Sequence, residues 1–125
     1  MIDQNKNNQP LDLSYLKEMS GDSAEFMVEM LEAFQKQTPI TMDELEKAID
    51  AKDWKTASEA AHKIKPTFYY VGREDVRDHM QEIEHNTREM KNLNLVPIAF
   101  EELKSFITIL SQQLEDAKAE LQERQ

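Results

Sequence analysis

Apolar residues along this chain return at steps of three and four, and no segment alternates at the two-residue period of a strand. That rhythm restricts the fold to packed helices. One stripe runs through Phe26, Met27, Met30, Leu31 and Phe34, then resumes after Thr38-Pro39 in Ile40, Met42, Leu45, Ala48 and Ile49. Trp54, Ala57, Ala61, Ile64, Phe68 and Val71 form a second, and Val76, Met80, Ile83 and Thr87 a third. A fourth passes through Phe100, Leu103, Phe106, Ile107, Leu110, Leu114, Ala117 and Leu121. With two glycines and four prolines in 125 residues, little interrupts these stripes. The seven methionines recur at core-facing steps and are read as packing.

The interruptions set the boundaries. A short helix over 13–19 stops at Ser20-Gly21, and Asp22 or Ser23 caps the next. Since neither glycine nor a polar loop surrounds Pro39, one kinked helix is expected there, not two. Ala51-Lys52-Asp53 connects it to a third helix, closed by Gly72 in a left-handed conformation. A fourth spans about 74–91. Asn92-Leu93-Asn94-Leu95 turns the chain, and Pro97 sits in the first turn of a last helix reaching about 123. Short turns between long amphipathic helices predict an all-α fold, an antiparallel up-down four-helix bundle with a short extra N-terminal helix. Residues 1–10 show no periodicity and are expected to be a disordered tail, leaving 11–125 as one helical bundle domain.

Composition removes several function classes. Without cysteine there is no disulfide framework, thiol chemistry or cysteine zinc site. No apolar run approaches the roughly 20 residues a membrane span needs, and the first ten residues are too polar for a secretory signal, so a cytoplasmic protein is expected. A net charge of -10 argues against nucleic acid and anionic membranes as partners. The charge is uneven, however. Between Lys52 and Arg73 lie five basic residues (Lys52, Lys55, Lys63, Lys65, Arg73) and only Asp53 and Glu59 as acids.

One reactive side chain falls inside that basic stretch. The second stripe centres between Ala61 and Ile64, and at 100° per residue His62 projects roughly 135° from that centre, toward solvent. An exposed imidazole is a nucleophile that can carry a phosphoryl group near neutral pH. Lys65, at the boundary of the stripe, can swing its ammonium toward it. Ser58, Pro66 and Tyr69 are the other neighbours one turn away, and no base–nucleophile pair accompanies them. Tyr70 reads as an exposed aromatic. His79 and His85, six residues apart, suit no common helical face, and no metal site is expected.

The run Ala60-Ala61-His62-Lys63-Ile64-Lys65-Pro66-Thr67-Phe68-Tyr69-Tyr70-Val71-Gly72 closely resembles the phosphoacceptor helix of histidine-containing phosphotransfer (HPt) domains, worded A-H-x-L-K-G-(S/A)…(L/V)-G. His62, Lys65, Thr67 and Gly72 match, and Met80-Gln81-Glu82-Ile83-Glu84 is similar to the family's L-x-x-L-E stretch. The resemblance covers about residues 11–115. It implies that His62 accepts a phosphoryl group on Nε2 from a receiver-domain aspartyl phosphate and passes it to another receiver aspartate, with Lys65 offsetting the added charge. Lys55, Ser58, Glu59, Lys63, Pro66 and Tyr69 would then face the partner. The implied partners are receiver domains of a hybrid histidine kinase, of a response regulator, or of both. The chain would be a monomeric phosphocarrier without a cofactor of its own, the magnesium belonging to the receiver. A Gly-rich nucleotide loop is lacking, so no kinase activity is expected.

Pro66 departs from the pattern, standing where the family has glycine. Lacking an amide proton, it predicts a local kink beneath the imidazole and an altered choice of partners. The alternative is a non-catalytic helical adaptor that binds receivers or other signalling partners without transferring phosphate.

Overall fold

The computed structural model describes residues 2–124. Its helices are α1 (Ser14–Ser20), α2 (Ala24–Asp50), α3 (Trp54–Tyr70), α4 (Glu74–Glu89) and α5 (Val96–Glu123), with 3-10 turns at Gln4–Asn8 and Leu93–Leu95. The starts are chemically marked. The Ser23 hydroxyl accepts from the Phe26 amide, and the Asp53 carboxylate accepts from the Thr56 amide and hydroxyl, so donors left open at helix N-termini are met. α2 continues through Pro39, and α3 through Pro66.

α2 packs against α3 and α5, α3 against α4, and α4 against α5, so the four long helices close a ring, with α1 laid on α2. Side-chain pairs show the sense of each contact. From Asp22, just before α2, through Glu32, Gln35 and Glu46 along it, the partners are Arg124, just past α5, then Lys118, Glu115 and Lys104, so α2 and α5 run in opposite directions. Inside lies one core in which Leu31, Leu45, Ala61, Phe68, Met80, Ile83, Leu103 and Leu110 are fully covered.

Four expected core positions lie outside it. Phe26, Ile40, Met19 and Met90 are exposed: the α2 stripe that holds Phe26 and Ile40 is wider than the surface its neighbours cover, and Met90 lies past α4 in a left-handed cap. The N-terminal segment also departs from the disordered tail expected over 1–10. Residues 2–10 fold onto the bundle, with Ile2 buried and the Gln113 amide donating to the carbonyls of Lys6 and Gln9. Met1, where that tail begins, and Gln125, where the bundle domain ends, lie outside the described residues.

Gly72 explains how that segment reaches α3. Its φ is +78°, and a Cβ there would press against the carbonyl oxygen of Asp12. Both the conformation and the close approach require glycine. Gly72→Ala is expected to destabilise the protein by about 1–3 kcal/mol, read as a lower urea midpoint at unchanged m-value.

Candidate functional site

His62 stands on the outer face of α3 with 72% of its side chain exposed. Its Nδ1 lies 2.8 Å from Oε2 of Glu84, which comes from α4 and is only 7% exposed. The same carboxylate accepts from the Lys65 ammonium at 2.7 Å on Oε1, and Arg88 Nη1 approaches Oε2 at 3.5 Å from one turn further along α4. Burial by itself would raise the Glu84 pKa. Hydrogen bonds from Lys65 and His62, with the Lys65 charge, outweigh it and hold the carboxyl below its ordinary value.

An ionised Glu84 can only accept, so the proton between it and His62 belongs to Nδ1. The neutral ring then carries its free lone pair on Nε2. Two opposing consequences follow for charge. Lys65 is not a loose cation beside the ring, since its side chain is 20% exposed and its ammonium rests on Glu84. Arg88, half exposed, supplies a second positive charge, so the cluster of Lys65, Arg88 and Glu84 keeps one net positive charge next to the imidazole.

The six residues expected to face a partner separate into groups. Lys55, Glu59 and Pro66 are exposed along the His62 face, and Ser58 and Tyr69 are half-buried. Lys63 is exposed but binds Glu44 of α2 at 3.0 Å. The basic stretch is therefore less positive than its composition suggests. Lys63 and Lys65 are paired, and Arg73 is buried against Asp75, which leaves Lys52 and Lys55 without ion pairs among the described residues.

Beyond Pro66 the face turns aromatic. Tyr15 of α1 meets Tyr69 edge-on at 4.9 Å and stacks on Tyr70 at 5.5 Å, while Phe34 stacks on the other side of Tyr70 at 6.0 Å. Tyr70 is thus half-buried between two rings, not the exposed aromatic expected of it. Tyr15 and Met19 stay exposed and extend the face sideways from α3. The other histidines lie elsewhere. His79 is buried with Nε2 2.8 Å from the Ala99 carbonyl, and His85 is exposed beside α3. Among the described residues no group of three or more His, Cys, Asp or Glu is arranged to hold a metal ion. No helix among them is long and apolar enough to cross a membrane.

Glu84, Arg88 and Tyr15 were not assigned roles from the sequence. A signal for Glu84 existed: a carboxylate between Met80, Ile83 and Thr87 on a buried stripe requires a cationic or hydrogen-bonding partner. Nothing local pointed to Tyr15, which reaches Tyr69 only through the docking of α1.

The fold is a helical bundle whose α3 displays His62, with its ring nitrogens made unequal by a buried carboxylate. The Hpt domain family model matches residues 29–124, and the chain belongs to that family. No curated protein and no solved structure matches it.

Proposed function

We propose that this protein is a phosphorelay intermediary that receives a phosphoryl group on His62 Nε2 from a receiver-domain aspartyl phosphate and returns it to another receiver aspartate. The observation that carries this reading is the 2.8 Å contact between His62 Nδ1 and Glu84 on an otherwise exposed ring. In the forward step the Nε2 lone pair forms the N–P bond while the P–O bond to the aspartate breaks, and the electron pair leaves with the aspartate carboxylate. The ring becomes positive, and Nδ1–H is already held by an anion that stabilises it. Lys65 and Arg88 answer the phosphoryl charge, about -1.5 to -2 by analogy with other phosphorylated residues. The donor supplies the high-energy bond and any magnesium, and this chain supplies position and charge.

Docking would use the exposed strip from Lys55 through Glu59 and Pro66 to Tyr69, widened by Tyr15 and Met19. Its aromatic end gives contact area, and its Lys55 end favours an acidic pocket rim. A cytoplasmic location and a monomeric state accompany the proposal.

Incubation with a receiver domain labelled with ³²P on its aspartate tests it. Wild-type protein is expected to acquire acid-labile, alkali-stable label, and ¹⁵N NMR of the product to place phosphorus on Nε2. His62→Gln, an exposed substitution, should keep the fold and take up none. If wild type binds receivers without acquiring label, the proposal fails and the adaptor reading replaces it.

A further inference from the structure

α4 has a second functional-looking side. Toward α3 it presents Glu84, and toward α5 it walls a pocket of about 240 Å³ whose lining includes His79, Glu82, Asn86, Leu95, Ile98 and Glu102. His79 is 5% exposed, and its Nε2 lies 2.8 Å from the Ala99 carbonyl oxygen. A carbonyl only accepts, so Nε2 carries the proton and Nδ1 of the neutral ring is a bare lone pair. Among the described residues Nδ1 has no hydrogen-bond partner. Glu102 Oε2, itself an acceptor, stands 4.0 Å away. Every sealed side-chain nitrogen and oxygen among the described residues has a partner, so this one opens on the pocket.

The pocket therefore gathers three acceptors, at His79, Glu82 and Glu102, and its lining contains no lysine or arginine. At its mouth Ile98 is 60% exposed and Leu95 45%. A buried ring nitrogen flanked by two exposed carboxylates and an apolar edge matches a side chain with a hydrocarbon stem and a cationic head carrying several donors. We propose that the α4–α5 pocket is a docking site for a basic amphipathic segment of a partner protein. An arginine or lysine enters between His79, Glu82 and Glu102, and neighbouring apolar residues cover Leu95 and Ile98. A second copy of this chain is disfavoured as the occupant because it brings the same net charge of -10 to an acidic face. Ile83 and Glu84 are consecutive yet face different helices, so this pocket can be filled while His62 remains accessible.

An amide-resolved NMR titration at physiological salt tests the proposal, using a designed Leu/Arg helical peptide of about 15 residues. A counterpart has every arginine replaced by glutamine. The arginine peptide is expected to shift residues 79–86 and 95–102 and the His79 ring saturably, and to bind at least about tenfold more tightly than its counterpart. Ile98→Ser and Glu102→Gln, both at exposed positions, should each weaken it by about tenfold while leaving the His62 resonances in place. Equal binding by both peptides, or shifts spread over the other acidic surfaces, would overturn the proposal. So would self-association of the protein that Ile98→Ser abolishes, which would assign the face to a second copy.

Discussion

Arg73→Ala is expected to cost about 3–5 kcal/mol of stability, the range for removing one partner of a buried ion pair. The side chain is 2% exposed. Its Nε and Nη2 donate to the two oxygens of Asp75 at 3.1 and 2.9 Å, Nη1 donates to Gln113, and Nη2 also donates to Asn7 Oδ1 and the Asp3 carbonyl. The guanidinium lies 4.6 Å from the centre of the Phe106 ring. Deleting it strands the Asp75 carboxylate, which is left with the Asp3 amide, and takes the bonds to Asp3 and Asn7 from the N-terminal segment, which keeps those from Gln113 to Lys6 and Gln9. Chemical denaturation should show the loss, and hydrogen exchange should show residues 3–9 opening first. Arg73→Met with Asp75→Leu should be milder than Arg73→Ala, since no charge is then left unpaired. A loss below about 1 kcal/mol in Arg73→Ala would show that the cluster is not a clamp.

The same cluster sets an acid response. Burial pushes the Asp75 pKa up, but bonds from Arg73 and the Asp3 amide and the Arg73 charge bring it below the ordinary value. Its folded pKa is thus depressed relative to the unfolded chain. The stabilisation is complete above the ordinary carboxylate range of about 4 and is lost as pH falls through the folded value.

How much of this was legible follows from the distance between partners. His62 could be placed on the solvent side because Ala61, Ile64 and Phe68 define the buried side of its own helix, and helical period is local information. Gly72 was legible for the same reason. The pairing of Glu84 with His62 was not, because the two lie 22 residues apart and only the packing of α4 on α3 brings them together. Arg73 read as one more cation of a basic surface, yet it is buried by groups up to 70 residues distant. Asp3 and Asn7 sit in a segment too polar to show periodicity, and they fold because a buried guanidinium needs their oxygens. Charge counting failed where tertiary pairing decided which cations remain free.

With His62 as the proposed phosphoacceptor, Glu84→Leu is expected to slow phosphotransfer by about tenfold to a hundredfold, the effect that removing a carboxylate from behind a metal-binding histidine has. The loss has two sources, and a second variant separates them. Glu84→Gln keeps an oxygen that can accept from Nδ1 but removes the charge that stabilises the ring as the N–P bond forms. If orientation dominates, Glu84→Gln should transfer nearly as well as wild type. If charge dominates, it should fall with Glu84→Leu. The ¹⁵N spectrum of the unphosphorylated ring reads the tautomer directly: Nδ1–H in wild type and Glu84→Gln, a mixture in Glu84→Leu. Lys65 adds an opposing effect, because either substitution frees its ammonium from the 2.7 Å contact and leaves it for the phosphoryl group. Phosphorylated Glu84→Gln should therefore hold its label longer even where it acquires it more slowly. A Glu84→Leu protein that keeps the wild-type rate and tautomer would remove Glu84 from the chemistry and leave it as a structural anchor for Lys65.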